Sequence, residues 1–422
     1  MAVPKRRGKR ARVARKSAAG KAVHDSAAAE SALEQWRADT PGCQERIHLN
    51  NAGAALPPRS VVEVMHRHLD REAEIGGYEA ADEAAAQVQE AYETTGKVVN
   101  ARGRNIAIVE NATVAISQAL SAFDFTPGDV LVTTRCDYPS NQLMYLSLAQ
   151  RAGLVVKRAA DLPEGGVDPE SVRKLARNPR CRLVVLTWVP TNSGLVQDAA
   201  AVGAVCEDAG VPYVIDACQA VGQIPVDVHA VRCDYLAGTA RKFLRGPRGI
   251  GFLYVSDRAL AGGAFPLHVD MRGADWVGAD EFQLARGPRR FENWEYAYAL
   301  VLGMGEAARY ALAVGDAAFT RSHDLAADLR AKLGALRQVR VFDRGADQCA
   351  IVTIAVDGHD PEELKHRLRA RGINTSVSDR VSGVIDFESK GITGALRLSP
   401  HYYNTAAELG AAVAVLDELT RG

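Results

Sequence analysis

The sequence predicts an α/β protein. Its larger part is built on a mostly parallel sheet of about seven strands, and a smaller α/β part follows at the C-terminal end. Short apolar runs alternate with helical patterns from residue 105 to residue 255. This alternation is typical of a parallel sheet that helices cover on both faces. The seven strands are predicted at residues 105–109, 129–134, 154–156, 182–187, 211–215, 235–237 and 250–255.

The N-terminal end is strongly basic. The first 24 residues hold nine Lys and Arg residues and no acidic residue. They contain no apolar core, which argues against a secretory signal, and we expect residues 1–30 to form a disordered, solvated tail. Nucleic acid is the alternative partner for this tail, but the tail has no aromatic side chain for base stacking. A short helix is expected at residues 31–39.

The composition is that of a globular protein in water. The chain has 422 residues, of which 47% are hydrophobic and 24% charged, and this length suffices for two domains that share a large core. No apolar run approaches the ~18–20 residues of a membrane helix, so we expect no membrane partner. Seven cysteines show no CxxC spacing, which gives no support for a metal site and indicates reduced thiols in the cytoplasm.

A glycine- and arginine-rich turn at residues 238–251 is the strongest local signal. Lys242 follows a predicted strand, and its polar neighbours are Thr239, Arg241 and Arg245. Neighbouring cations disfavour a charged lysine, so its pKa falls and the neutral amine can form a Schiff base. The threonine, the arginine and the amides of the turn can hold a phosphate. A basic surface turn is the alternative interpretation.

A second motif precedes this turn. Asp216 ends the apolar strand at 211–215 and lies 26 residues before Lys242, and a helix is predicted to begin directly after it. The ring of pyridoxal 5'-phosphate (PLP) acts as an electron sink while its nitrogen is protonated, and a buried carboxylate keeps it so. Gln219 is placed to bond the ring oxygen. A helix N-cap is the alternative for Asp216, but the two motifs together predict a PLP site.

These motifs resemble those of the class V aminotransferase family of fold-type I PLP enzymes, from about Ile47 to the C-terminus. That family includes cysteine desulfurases, kynureninases, C–S lyases and isopenicillin N epimerase-like proteins. The resemblance implies a PLP cofactor, an amino-acid substrate and a homodimer with shared active sites. It also implies an N-terminal arm at 31–75 that packs on the small domain, a large PLP-binding domain at 76–300, and the small domain at 301–422.

A turn at residues 110–113 follows the first strand of the predicted sheet and begins a helix. Free amides at a helix N-terminus and a threonine hydroxyl make an anion site, and in the family this turn holds the PLP phosphate. The residues assigned to it are Asn111, Ala112 and Thr113. Helix capping alone is the alternative.

The resemblance also implies contacts with the cofactor ring. Tyr138 takes the position at which the family stacks a ring on the pyridine, in place of the usual histidine. Near Gly194, both Thr191 and Asn192 qualify to face the substrate and the ring oxygen, and the spacing does not decide between them. We assign Thr191 to the cofactor and Asn192 to the substrate.

Three further residues complete the implied site. Arg397 lies inside an apolar strand, where a substrate carboxylate would pair with it bidentately, and a structural ion pair is the alternative. Asn51 belongs to an entry segment that runs past the active site, or to a plain turn. Asn293 lies in a segment that touches the partner's phosphate in the family, although Asn-Trp replaces the usual Gly-Thr. The preceding residues, 262–290, are predicted to be irregular.

The absence of a cysteine near the C-terminal end reduces the number of reactions that the sequence supports. Desulfurases carry a nucleophilic cysteine on a mobile loop before the arginine, whereas no cysteine occurs between residues 350 and 422, and the loop here is predicted at 375–383. We therefore predict β-elimination of the C–S lyase type on a cysteine-derived substrate, with Lys242, Asp216 and Tyr138 as catalytic residues. Transamination and epimerisation are alternatives, and a catalytically silent PLP-binding protein is an alternative of another class.

Overall fold

The computed structural model describes residues 29–421. The predicted basic tail lies outside these residues except at residues 29 and 30, which already belong to a helix over residues 29–38. The tail was therefore predicted slightly too long. The short helix expected at 31–39 is present.

A seven-stranded sheet forms the centre of the large part, as predicted. The strand Gly251–Val255 runs antiparallel to both of its neighbours, and the other neighbouring strands are parallel. Most of these strands are buried along their length, which explains their continuous apolar sequences. In spatial order the strands are Ile106–Val109, Gly251–Val255, Tyr235–Thr239, Tyr213–Asp216, Cys181–Thr187, Val130–Thr133 and Val155–Arg158.

Helices cover both faces of this sheet. Val130 and Val132 enter one apolar cluster and Leu131 between them enters another, because successive side chains of a strand point to opposite faces. The helices of this part are Gly42–Glu45, Arg59–Ile75, Gly77–Glu83, Ala85–Val98, Ala112–Ser121, Pro139–Ala152, Pro169–Ala176, Ala199–Ala209, Asp257–Ala261 and Tyr298–Val314, with 3-10 turns at Gly103–Asn105 and Pro288–Phe291.

Two local predictions in the large part were wrong. No helix begins after Asp216, because the chain makes successive turns there and Gly222 adopts a φ of +89°. A Cβ atom on Gly222 would lie 2.3 Å from the backbone of Phe243, so this turn packs directly on the lysine turn. The region 262–290 is not wholly irregular, since Ala274–Gly278 and Glu281–Leu284 pair as an antiparallel hairpin.

The C-terminal part is a four-stranded antiparallel sheet with helices. Its strands in spatial order are Val339–Val341, Val352–Val356, Gly394–Leu398 and Ser376–Asp379. Its helices are Asp316–Gly334, Pro361–Ala370, Val384–Lys390 and Ala406–Thr420, with a 3-10 turn at Arg380–Ser382. The loop predicted at 375–383 is therefore mostly ordered structure. Its strand pairs with the one that carries Arg397, and Asp379 caps the turn by accepting a hydrogen bond from the Ser382 amide.

The N-terminal segment contacts the C-terminal part. The strand Ile47–His48 pairs in parallel with Ile373–Asn374. Arg37 Nη1 donates to Glu408 Oε1 at 2.7 Å and to the carbonyl of Tyr403 at 2.9 Å. The domain boundaries themselves stay predictions, and the one at residue 300 falls inside the helix Tyr298–Val314.

Arg245 forms hydrogen bonds to residues of three segments that are distant in the sequence. Its side chain is fully buried and donates to the Leu56 carbonyl at 2.9 Å, the Tyr402 hydroxyl at 2.6 Å and the Thr40 hydroxyl at 2.5 Å. The guanidinium carbon lies 4.7 Å from the centroid of the Tyr403 ring. The backbone φ of Arg245 is +64°, a conformation that a non-glycine residue keeps only where its surroundings fix it.

Within residues 29–421, no helix combines the length and the apolar character needed to cross a membrane. The same residues include no cluster of three or more His, Cys, Asp or Glu side chains that could hold a metal ion.

Candidate active site

Two adjacent parallel strands bring Asp216 and Lys242 together. Asp216 ends the strand Tyr213–Asp216 and lies opposite Ala237 of the neighbouring strand. Lys242 follows three residues after the end of that strand, in the turn that leads to Gly251–Val255. Both side chains are almost completely buried. The carboxyl ends of parallel strands are where open α/β sheets bind ligands.

The environment of Lys242 favours the neutral amine. Burial is the main cause that lowers its pKa below the usual 10.5, and Arg241 and Arg397 lower it further, whereas Asp216 opposes them. The prediction of a lowered pKa rested on neighbouring cations alone, and it included Arg245. Arg245 instead lies among tyrosine rings away from Lys242. The second cation that lowers the pKa of Lys242 is Arg397.

Asp216 is held by two donors. Its Oδ1 accepts from the Cys218 amide at 2.9 Å, and its Oδ2 accepts from Asn141 Nδ2 at 2.9 Å. Both oxygens of this buried carboxylate are therefore fixed in position. It can still accept one further hydrogen bond from a ligand.

Tyr138 lies over the lysine. The centroid of its ring is 5.8 Å from Lys242 Nζ. Tyr138 is the N-cap of the helix Pro139–Ala152, where a proline at the first position fixes the start of the helix. Its backbone amide donates to Asp137 Oδ1 at 2.7 Å, so the ring projects from a fixed turn.

A cavity of about 400 Å³ joins these residues to the start of the helix Ala112–Ser121. Asn111 caps that helix by accepting from the Val114 amide at 3.0 Å. The cavity thus combines free helix amides, two threonine hydroxyls and an arginine with a buried lysine and carboxylate, which is a donor set suited to PLP. Its lining residues are Asn111, Ala112, Thr113, Val114, Tyr138, Asn141, Asp216, Cys218, Thr239, Arg241 and Lys242.

Thr191, Gln219 and Arg397 form a second group, joined by hydrogen bonds, and none of the three lines the cavity around Lys242. Arg397 Nη1 donates to the Thr191 hydroxyl at 2.8 Å and to its carbonyl at 2.9 Å. Gln219 Nε2 donates to the same hydroxyl at 3.1 Å and to the Ala52 carbonyl at 3.0 Å. Arg397 Nε and Gln219 Oε1 are buried without a hydrogen-bond partner among the described residues. Such unpaired buried groups indicate a ligand position.

The remaining predicted residues make other contacts. Asn51 is fully buried and accepts from the Tyr403 hydroxyl at 2.5 Å, while its Nδ2 donates to the Ser399 carbonyl at 2.7 Å. Asn192 Nδ2 donates to Asp386 Oδ2 at 2.6 Å. Asn293 Nδ2 donates to Glu110 Oε1 at 3.1 Å, in the turn at residues 110–113. These three side chains do not line the cavity around Lys242.

Three residues of the site were not singled out from the sequence. Asp137 and Asn141 flank Tyr138, and their four-residue spacing places them on one side of the first helical turn. Cys218 lines the cavity directly after Ala217. Asp137 and Asn141 could have been found from the sequence, because they belong to the same polar stretch as Tyr138. Cys218 could not, because it reaches the cavity through the turn that forms in place of the predicted helix after Asp216.

The family model for class-V aminotransferases matches residues 47–411. This chain belongs to the class-V aminotransferase family. The match covers every residue assigned to the site, and it confirms the predicted family.

Relatives of this class-V chain carry desulfurase names. A probable cysteine desulfurase of Methanothermobacter thermautotrophicus is 26% identical over 394 residues, which is 92% of this chain and 98% of the relative. A probable cysteine desulfurase of Pyrococcus abyssi is 25% identical, with the same shares covered.

Solved structures confirm the fold of the class-V chain as that of fold-type I enzymes. The apo cysteine desulfurase of Thermococcus onnurineus NA1 superposes with a TM-score of 0.85 at 24% identity, over 92% of this chain and 98% of that one. A cystine C–S lyase in complex with its product, cysteine persulfide, superposes with a TM-score of 0.78 at 24% identity, over 90% and 99% of the two chains.

Proposed function

We propose that this class-V chain is a PLP-dependent enzyme that catalyses β-elimination on a cysteine-derived amino acid, a C–S lyase reaction. The observation that carries the proposal is the arrangement of three residues. Lys242 and Asp216 line one cavity, and Arg397, a cation close enough to lower the pKa of Lys242, has a buried Nε without a partner among the described residues. A protein without catalytic activity has no need of all three, which argues against a silent PLP-binding protein.

Different residues of the site would bind the phosphate, the ring nitrogen and the ring of the cofactor. Thr239, Arg241 and the helix start at Asn111, Ala112 and Thr113 would hold the phosphate. Asp216 would pair with the ring nitrogen. The ring itself would lie against Tyr138, with Thr191 and Gln219 near its oxygen. When bound, PLP supplies the electron sink for a carbanion at the substrate Cα.

The chain's own residues prepare the proton transfer. Arg397 would bind the substrate carboxylate with its unpaired Nε and so orient the Cα–H bond. Lys242 would take the Cα proton, and its lowered pKa makes the neutral amine more available as a base because burial disfavours the charged form. Tyr138, held by Asp137, would protonate the sulfur leaving group.

The choice of elimination rests on the missing thiol. Between residues 350 and 422 there is no cysteine, and the strand, turn and helix over residues 376–390 occupy the region predicted as the loop. Elimination expels a leaving group from Cβ without a protein nucleophile. The name of the superposed cystine C–S lyase is consistent with this chemistry.

Transamination stays the main alternative, because Lys242 can also return the proton. Epimerisation needs a second acid or base, and Tyr402, which follows the strand that carries Arg397, is a candidate for it. The Tyr402 hydroxyl accepts a hydrogen bond from the buried Arg245 at 2.6 Å, which argues against that role.

Product analysis tests the proposal. S-substituted cysteines and plain amino acids are offered to the purified enzyme in deuterated water. Elimination should release pyruvate and ammonia in equal amounts from the cysteines, and borohydride should leave the pyridoxyl group on Lys242. Deuterium at Cα without pyruvate would indicate epimerisation, and accumulation of pyridoxamine phosphate would indicate transamination. A protein that takes up no PLP would refute the proposal altogether.

A homodimer with shared active sites is part of this proposal. The segment 265–294 exposes large apolar side chains, which rarely cluster on the free surface of a monomer. Two of them, Trp276 and Phe282, pair across the hairpin and are 82% and 55% exposed. Asn293, in this segment, donates to Glu110, the first residue of the turn at 110–113 that would hold the phosphate. A second copy of the chain would cover this face.

We also propose a cytoplasmic location, since all seven cysteines are free thiols. The division into an arm, a large PLP-binding domain and a small domain is proposed with the boundaries predicted from the sequence.

A further inference from the structure

Asp137 is a buried carboxylate that no cation neutralises. It is 4% exposed, and it takes part in no salt bridge among residues 29–421. Only donors surround it: Thr133 Oγ1 at 2.6 Å, the Tyr138 amide at 2.7 Å, Asn141 Nδ2 and Gln142 Nε2 at 3.3 Å each, and the Thr187 hydroxyl. Burying a carboxylate is costly, so five convergent donors indicate a position kept for a purpose.

Asn141 links this carboxylate to Asp216. Its Nδ2 donates to Asp137 Oδ1 at 3.3 Å and to Asp216 Oδ2 at 2.9 Å. An asparagine amide has one donating and one accepting end. Because both neighbours are carboxylate oxygens, only the donating end of Asn141 fits between them. Asp137 therefore prevents the amide from turning its oxygen toward Asp216.

The orientation of Asn141 decides which of its atoms faces Asp216. Asp216 is the carboxylate that would pair with the protonated ring nitrogen of bound PLP. A hydrogen bond donated by Asn141 to Asp216 would support that pairing, whereas the amide oxygen of Asn141 would oppose it.

We propose that Asp137 is a positioning residue of the site, which orients Asn141 so that its amide donates to Asp216, the carboxylate that would pair with the ring nitrogen of bound PLP. The inference rests on the proposed function, and it adds a residue that does not itself line the cavity. Asp137 also accepts a hydrogen bond from the Tyr138 amide. One carboxylate therefore positions both Tyr138 and, through Asn141, the contact to Asp216.

The variant Asp137→Asn tests this inference. Wild-type and variant holoenzymes are prepared with PLP labelled with ¹⁵N at the ring nitrogen, and the ¹⁵N chemical shift is measured at neutral pH. We expect the shift of the variant to move toward that of neutral pyridine and the Kd for PLP to rise about tenfold, the loss expected for one hydrogen bond to a charged group. Loss of the Asp137 charge alone would make Asp216 more acidic, so it would not produce this change.

Two further variants sharpen the test. Asn141→Ala should give the same ¹⁵N change with Asp137 intact, and combining both substitutions should add little, because they act through one link. Asp129→Asn is the matched control, since Asp129 is a buried carboxylate at the other end of the strand Val130–Thr133, and its ¹⁵N signal should match that of the wild type.

The outcomes separate the two proposals. A wild-type protein that binds no PLP contradicts the proposed function. A wild-type protein that binds PLP, with Asp137→Asn keeping the wild-type ¹⁵N shift, overturns only the role of Asp137, whatever Asn141→Ala shows. If Asp137→Asn does not fold, an unchanged shift in Asn141→Ala overturns that role, because Asp137 acts through Asn141, and a changed shift supports it.

Discussion

Arg397→Lys is the most direct test of substrate recognition. The substitution keeps a cation but removes the planar fork that binds a carboxylate through two parallel N–H groups. In the structure, Arg397 already uses Nη1 to donate to Thr191 at 2.8 and 2.9 Å, and its buried Nε has no partner among the described residues. A lysine ammonium cannot hold Thr191 and also present a second donor in the same plane.

The expected loss follows from the hydrogen bonds removed. One hydrogen bond to a charged group contributes about 1.5–3 kcal/mol, which corresponds to a decrease of roughly 10- to 150-fold in kcat/KM for an S-substituted cysteine. The assay couples pyruvate release to lactate dehydrogenase at neutral pH. Burial lowers the pKa of Arg397 to about 10, so the wild-type arginine is still charged under these conditions.

A substrate without a carboxylate serves as the internal control. For the matching S-substituted cysteamine, binding in the wild type should already be weak, and Arg397→Lys should weaken it little further. Arg340→Lys, at an exposed arginine on a strand of the same sheet, should leave both substrates unaffected. If Arg397→Lys retains kcat/KM within threefold, or weakens the two ligands equally, Arg397 does not bind the carboxylate.

Three other predictions concern thiols, protons and assembly. Cys349 is fully buried and its pKa is raised to about 12 by burial, so Cys349→Ser should keep most of the turnover; a hundredfold loss, ~2.7 kcal/mol of barrier, would indicate a thiol mechanism. The folded pKa of Lys242 is lowered, so the unfolded chain binds more protons below pH 10.5. Denaturant titrations of cofactor-free wild type and Lys242→Met give two free energies of unfolding at each pH. The wild-type value minus the variant value should therefore rise as the pH rises toward 10.5. Trp276→Glu should convert the dimer into a less active monomer, with the molar mass measured by light scattering. A variant with the molar mass of the wild-type dimer would contradict the proposed interface.

The sequence predicted the sheet and the main residues around the cavity. The strand ends at Asp216 and the turn at Lys242 were predicted correctly because buried parallel strands have continuous apolar sequences, and the residues that follow them lie at one edge of the sheet. Asn111, Thr113 and Tyr138 lie at the same edge for the same reason.

What the sequence could not provide was the direction of individual side chains. Asn192 stands next to Thr191, yet it turns to Asp386 on the helix Val384–Lys390, and no local pattern specifies that pairing. Arg245 stands three residues after Lys242, yet it leaves the site because tyrosines from distant segments form a better environment for its charge. Long-range contacts decide both cases.

The contacts of Arg245 have a consequence for the order in which the protein assembles. One side chain in the lysine turn bonds to residues 205 positions before it and 157 positions after it. Contacts that join such distant parts of a chain close late in folding, since the loop entropy must be overcome first. The lysine turn therefore reaches its final shape only after both ends of the chain have docked.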